Sequence, residues 1–260
     1  MLFWFKLKLT KLKKLLATII LVILSHVIIN AQRLVLLPNA GVQTTSSTIN
    51  GLSPFSSVNK QFQTNATFGL RGYLDNKKGR GLFFGIQYVN AGLKYKYEDV
   101  NGQGSMKSTV SFPRLEFGYQ LLSKPVYFNN ILNNINAKKN SGLFFQIQPM
   151  LGFGYNILNN NGGVGSSGGG SVVLKTYGGS RGNYSLLSGA NMYFGKNDKQ
   201  WFFISVMKNW NFGNYSYVGV VETQYNGSTF QNNIKSLGSG TAVTIGIPVK
   251  INFRKKRTHF

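Results

Sequence analysis

Two histidines and six carboxylates are the groups through which this chain could shuttle protons. His26 lies in an apolar N-terminal stretch and His259 is the penultimate residue, so no expected strand carries either. The acids are Asp75, Glu98, Asp99, Glu116, Asp198 and Glu222. Hydrolytic sites generally need a histidine beside a nucleophile, or paired carboxylates. No such pair occurs at catalytic spacing, and only Glu116 falls on the polar face of an expected membrane strand. The chain has no cysteine, which removes disulfides and thiolate metal sites. The expectation is a protein that is not an enzyme, with no catalytic residue, no cofactor and no metal.

Gly163-Val164-Gly165-Ser166-Ser167-Gly168 matches a dinucleotide-binding fingerprint letter for letter. That fingerprint needs a strand before it, a helix after it and an acid about 20 residues on. Here the flanks are Asn-rich and Gly-rich and the next acid is Asp198, so the stretch reads as a mobile surface loop within residues 159–171. The formal charge of +23 raises nucleic acid as a partner. Five of the 29 basic residues fall in the first 31 positions, which hold no acid, so +18 remains for the rest. Those residues are scattered and no recognised motif holds them, so no nucleic acid is expected.

The elements that would position these groups are strands. Over residues 143–157, Leu143, Phe145, Ile147, Leu151, Phe153, Tyr155 and Ile157 share one parity, with Pro149 among them. Phe144, Gln146, Gln148, Met150, Gly152, Gly154 and Asn156 share the other. A period of two with one apolar face and one uncharged polar face fits lipid outside and a crowded lumen inside. Further strands are expected over 34–48, 64–74, 82–97, 108–120, 184–195, 201–221 and 241–253, with 172–177 a strand extension above the membrane. The fold class is therefore all-β: an antiparallel up-and-down transmembrane β-barrel of eight strands, or ten if 172–177 pairs in the membrane. Apolar parity shifts within 82–97, which points to a bulge near Val89–Asn90. Pro248 marks a bulge or break in the last strand. Val126, Phe128, Ile131, Leu132 and Ile135 fit a short amphipathic helix begun by Pro125.

Three strands start alike: Leu82-Phe83-Phe84, Leu143-Phe144-Phe145 and Trp201-Phe202-Phe203. Aromatics at one end of three strands read as an interfacial girdle. On lumenal parity stand four charges, Arg71, Arg114, Glu116 and Lys250. If they pair they plug the lumen; if they stay hydrated they favour a narrow anion pore. Eight strands leave room for little more than side chains, so the plug is preferred. At the turn end gather Lys77, Lys78, Arg80, Lys138, Lys139, Lys196, Lys199, Arg254, Lys255, Lys256 and Arg257. This basic periplasmic rim would face anionic headgroups, or simply keep the turns soluble.

Residues 1–14 are basic, 15–29 apolar, and Asn30-Ala31-Gln32 follows, the pattern of a signal peptide cut after Ala31. The expected organisation is a signal peptide over 1–31, a barrel over 32–253 and a basic tail over 254–260. After the signal peptide, no apolar run is long enough for a membrane helix, so a second entry into a membrane requires a closed barrel.

Asn30-Ala31-Gln32, Pro113-Arg114-Leu115-Glu116-Phe117-Gly118-Tyr119 and Gly246-Ile247-Pro248-Val249-Lys250-Ile251-Asn252-Phe253 together resemble the small outer-membrane β-barrel proteins of Bacteroidota, the PorT-like group. The resemblance implies an eight-stranded barrel inserted by the outer-membrane assembly machinery, and no shared catalytic or ligand residue. The tail beyond Phe253 departs from the pattern, and Phe260 would serve if the machinery reads the very C-terminus. The expected function is a monomeric outer-membrane protein with a structural or surface-binding role. Outer-membrane lipid is its surroundings, and long extracellular hairpins are its interaction surface. The alternatives are a narrow anion-favouring pore and a PorT-like accessory role in protein secretion.

Overall fold

The computed structural model describes residues 33–50, 57–75, 80–99, 102–128, 142–158, 163–165, 172–178, 182–197, 199–225 and 228–252. The expected signal peptide and basic tail lie outside them. Among these residues the first strands are β1 (Arg33–Thr45), β2 (Thr48–Asn50), β3 (Ser57–Gln61), β4 (Gln63–Asp75), β5 (Arg80–Asp99) and β6 (Gly102–Leu121). Next come β7 (Val126–Tyr127), β8 (Leu143–Asn156), β9 (Gly163–Gly165), β10 (Val172–Gly178) and β11 (Asn183–Lys196). The chain ends with β12 (Lys199–Phe212), β13 (Tyr217–Tyr225), β14 (Ser228–Ser236), β15 (Gly240–Gly246) and β16 (Val249–Asn252).

Pairing runs β1–β4–β5–β6–β8–β11–β12–β15 and back to β1, antiparallel throughout. β16 continues β15 along β1 in the same register. The sheet is a closed eight-stranded barrel, in which no strand is left as an edge. Partners followed around the ring from Asn156 pass through Arg114, Gln87, Gly69, Asn39, Gly246, Phe203 and Tyr193. They return to Gln146, ten residues down the same strand. A stagger of that size tilts the strands by roughly 40°, so each residue climbs about 2.5 Å along the axis.

Alternating parity fixes which side faces out. Along β8, Leu143, Ile147, Leu151, Phe153 and Tyr155 stand exposed while Phe144, Gln148, Met150 and Asn156 are buried. The exposed belt continues through Phe68, Leu70, Phe84, Ile86, Leu115 and Phe117 to Val206, Val243 and Ile245. A continuous apolar wall around a polar interior is the inverse of a soluble barrel and suits lipid. Leu151 shows how much that matters: its side chain is 60% exposed in the middle of the wall. Leu151→Arg is expected to cost about 2–4 kcal/mol of folding free energy in a bilayer, read by urea titration in vesicles.

The structure departs from several of the sequence expectations. The Phe-Phe starts are girdles by half only: Phe83, Phe144 and Phe203 are buried in the lumen, and Phe84 takes the wall with half-buried Phe145 and Phe202. The 201–221 stretch is two strands, because Gly213 adopts φ +94° and the chain leaves the barrel between β12 and β13. β10 pairs with β13 rather than in the wall, which settles eight strands over ten. Gly163–Gly165 is a strand paired with β10, so that part of the expected loop is ordered. Val126–Tyr127 is a short strand, so the expected helix does not start at Pro125; Phe128, the next residue, is helical. The short strand fills the ladder position beside Phe145 and Phe144 that β6 vacates below Gln120, and its Tyr127 ring packs on Phe144 at 5.5 Å. Ile131, Leu132 and Ile135 lie outside the described residues. The β5–β6 ladder runs unbroken through Val89 and Asn90. The register slip falls on the other side, where the seven-residue step from Phe68 to Gln61 faces the six-residue step from Tyr88 to Lys94. The break at Pro248 is where expected, between β15 and β16.

Candidate functional site

The lumen is filled in layers. Toward the turn end lies an apolar floor of Val35, Leu37, Tyr73, Phe83, Met150, Tyr193 and Phe203. Glycine makes it possible. A Cβ on Gly118 or Gly152 would come within 2.5 and 2.7 Å of the Phe83 ring, so that ring lies flat over two bare backbones. Gln148 then accepts from Tyr193 Oη at 2.6 Å and from Asn191 Nδ2 at 2.9 Å.

The charged centre sits above this floor. Arg71 Nε donates to Glu116 Oε2 at 2.6 Å. Arg114 donates to Glu116 Oε1 from Nη2 at 2.7 Å and from Nε at 2.9 Å. Arg71 Nη1 also reaches Ser205 Oγ at 3.3 Å. These side chains expose 2%, 1% and 0% of their surface for Arg71, Arg114 and Glu116. Space for them is again made by glycine: a Cβ on Gly85 would meet Arg71 Cγ at 2.9 Å, and one on Gly154 would meet Arg114 Cδ at 2.9 Å. One carboxylate bridging two guanidiniums leaves one net positive charge in the barrel centre. Such a cluster is held by geometry and mutual hydrogen bonds, since desolvation opposes it.

Above the centre comes a layer of amides and hydroxyls. Gln87 Nε2 donates to Asn39 Oδ1 and Thr67 Oγ1 at 3.2 and 3.0 Å. Asn156 donates to Asn183 and Ser185, Ser185 Oγ to Asn211 Oδ1 at 2.6 Å, and Asn209 to the same oxygen at 3.0 Å. These donors also reach the loops. Asn183 Nδ2 points to Ser216 Oγ at 2.7 Å and Asn214 O at 2.9 Å, and Asn211 Nδ2 to Leu237 O at 2.7 Å.

At this end the loops build a crown. β2, β14, β13, β10 and β9 form a second, five-stranded sheet. On another sector, β3 extends the β5–β6 hairpin. Ser236 Oγ donates to Ser46 O at 3.0 Å, and Ser216 N to Ser236 O at 2.9 Å, fastening β14 and β13 to the barrel top.

Of the residues singled out from sequence, Arg71, Arg114 and Glu116 are brought together. Lys250 is not part of that cluster. It pairs with Val35 on lumenal parity, but at the turn-end mouth, where it is exposed. Lys196 and Lys199 face each other across the β11–β12 turn, both exposed. The turn itself uses Asn197 at φ 49°, whose Oδ1 accepts from Gly142 N at 3.0 Å. Arg80 is described in its backbone alone. Lys77, Lys78, Lys138, Lys139, Arg254, Lys255, Lys256 and Arg257 lie outside the described residues. Among the described residues no three His, Cys, Asp or Glu side chains gather where they could hold a metal. Sequence reading missed the Phe83 floor and the Asn183 clasp. Gly118 and Gly152, adjacent on lumenal parity, were the available signal for the first.

No family model and no curated protein matches this chain. Among solved structures, the outer membrane protein OprG from Pseudomonas aeruginosa is 10% identical over 86% of this chain and 97% of that chain, with a TM-score of 0.42. Ail, the attachment invasion locus protein of Yersinia pestis, is 9% identical over 85% of this chain and 99% of that one, with a TM-score of 0.30. The transport unit of the autotransporter AIDA-I from Escherichia coli is 12% identical over 83% of this chain and 88% of that one, also with a TM-score of 0.30. The eight-stranded closure therefore stands on the pairing of this chain's own residues.

Proposed function

We propose that this chain is an integral outer-membrane barrel with a sealed lumen, exported through a cleaved signal peptide, whose working surface is the crown. The observation that carries this is the coupling of the two ends of the lumen. The charged centre and apolar floor close the barrel, while the amide layer above them holds the crown through Asn183, Asn209 and Asn211. A surface held in place before it meets a partner loses less entropy on binding, which suits a structural or surface-interaction role. At the opposite end, exposed Lys124, Lys196 and Lys199 would sit against anionic phospholipid headgroups. A PorT-like accessory role in secretion would use the same crown, and rests on the sequence resemblance alone.

Orientation is testable because the chain has no cysteine. Thr229→Cys lies on the exposed crown strand β14 and Lys199→Cys at the turn end. On whole cells an impermeant maleimide is expected to label Thr229→Cys at once, and Lys199→Cys only after the outer membrane is opened. The reverse pattern would turn the crown inward and remove the surface role.

The excess guanidinium of the centre favours one rival, an anion-selective pore. Single-channel recording of the refolded barrel separates the two. No steady conductance is expected, and sustained anion-selective steps would replace the plug with the pore.

A further inference from the structure

Lys208 stands in the lipid-facing wall. On β12, Met207 and Asn209 are buried in the lumen, while Val206, Lys208 and Trp210 point outward. Lys208 pairs with Ser188 on β11 and with Thr241 on β15, and Thr241 pairs with Thr44 on β1. Ladder partners share a face, so these four side chains make one outward polar row across four strands of an otherwise apolar belt. Because the strands tilt, the row climbs by about 3 Å per strand toward β1, so Ser188 and Lys208 are its deep end and lie below the crown-side boundary of the belt that Thr44 reaches. Trp210 and Phe212 follow Lys208 on the same outward parity, and Tyr184 pairs with Phe212 with ring centroids 6.0 Å apart. At about 2.5 Å of height per residue, Lys208 lies roughly 10 Å below Phe212. The row is thus a notch beneath an aromatic shelf, and the lysine is short of the water above it.

We infer that this notch docks the phosphate headgroup of an anionic membrane lipid, an inference that rests on the membrane reading above. A charge on the lipid face destabilises in proportion to its depth. A long lysine relieves this by snorkelling, and an anionic phosphate at the same level supplies the counter-charge. Ser188 and Thr241 flank Lys208 on both ladder neighbours, and their hydroxyls offer donors to phosphate oxygens. Thr44 Oγ1 is turned to the backbone, donating to Thr241 O at 3.3 Å, so it closes the row on that side. The shelf of Trp210, Phe212 and Tyr184 covers the headgroup from the crown side. The class of ligand follows from charge and position: a lipid with net negative charge, held by its phosphate with its chains along the wall formed by Val206 and Val243.

Trp210 is the reporter. The full chain has three tryptophans, and Trp4→Phe with Trp201→Phe leaves Trp210 alone beside Lys208. Reconstituted in vesicles, its fluorescence is quenched by lipids with brominated chains that occupy the adjacent wall. Brominated phosphatidylglycerol is expected to win over brominated phosphatidylcholine by about fivefold in relative binding, the effect of one lysine facing an anionic headgroup. Lys208→Gln should bring the two lipids level, and Ser188→Ala with Thr241→Val should lower the preference with the lysine intact. An equal preference in the parent, or one unchanged in Lys208→Gln, overturns the site. Quenching by neither lipid would instead show that the wall does not face a bilayer, which is the failure of the membrane reading and not of the notch. Each variant's compact unboiled band on a gel shows that it still folds.

Discussion

Glu116→Gln is expected to lower the unfolding free energy by about 3–5 kcal/mol, the cost of leaving buried charges without their partner. Among the described residues the Glu116 carboxylate is the one counter-charge to Arg71 and Arg114, and all three side chains are almost wholly enclosed. An amide of the same shape retains one acceptor oxygen but presents an NH₂ group to a guanidinium. Two cations then face each other in a lumen that cannot screen them as water does. The arginines are expected to behave differently. Arg71→Met leaves Arg114 on Glu116 through two hydrogen bonds, a neutral pair, and so should cost less than Glu116→Gln. Replacing all three by Met removes the charges of the cluster together, and should be no worse than either single change. Urea titration in vesicles measures the series. A Glu116→Gln variant within about 1 kcal/mol of the parent, well below the cost of an orphaned buried charge, would mean that water or an ion already reaches the cluster.

Phe83→Ala should be similarly severe, at about 3–5 kcal/mol, because a ring that fills the lumen floor leaves a cavity its neighbours cannot close. Phe83 lies over Gly118 and Gly152, two backbones that meet across the β6–β8 ladder. Neither glycine has a side chain to move into the vacated volume. Gly152→Ala approaches the same ring from below. Its Cβ would stand 2.7 Å from Phe83 Cζ and 2.5 Å from Phe117 O, so the ring must shift and the ladder must spread, costing about 1–3 kcal/mol. The two changes should couple. In a Phe83→Ala background the ring clash is gone and the carbonyl clash remains, so Gly152→Ala should cost less there than in the parent. Strict additivity would show that ring and glycine do not touch.

Much of the barrel wall was legible because a period of two tolerates no ambiguity once one face is lipid. Residues 143–157 and 241–251 show it without interruption, and the parity that put Arg71, Arg114 and Glu116 in the lumen followed from the same rule. Parity gives a face and not a height. Lys250 therefore shares the lumenal parity of the cluster, yet lies at the mouth opposite Val35. The Phe-Phe starts were misjudged for a related reason: two adjacent residues in a strand must point to opposite faces, so each pair supplies one wall residue and one lumen residue. Where the chain leaves the wall, hydrophobic period gives no warning. Apolar and aromatic residues recur on both sides of Gly213-Asn214, and that pair alone marks the point where β12 ends and the crown begins. The short β7 was hidden by tertiary context. Phe128 is helical as its spacing suggests, but the open side of β8 below Met150 offers hydrogen bonds that draw Val126 and Tyr127 into a strand.

The central claim is that this chain folds as a closed barrel in the outer membrane, and heat-modifiable migration of isolated outer-membrane fractions tests it most directly. A closed strand ring resists detergent until it is boiled. The unboiled protein is therefore expected in the membrane fraction as a compact, faster band, and the boiled protein as a slower band. A protein found in the soluble periplasmic fraction, with one band before and after boiling, would contradict the account.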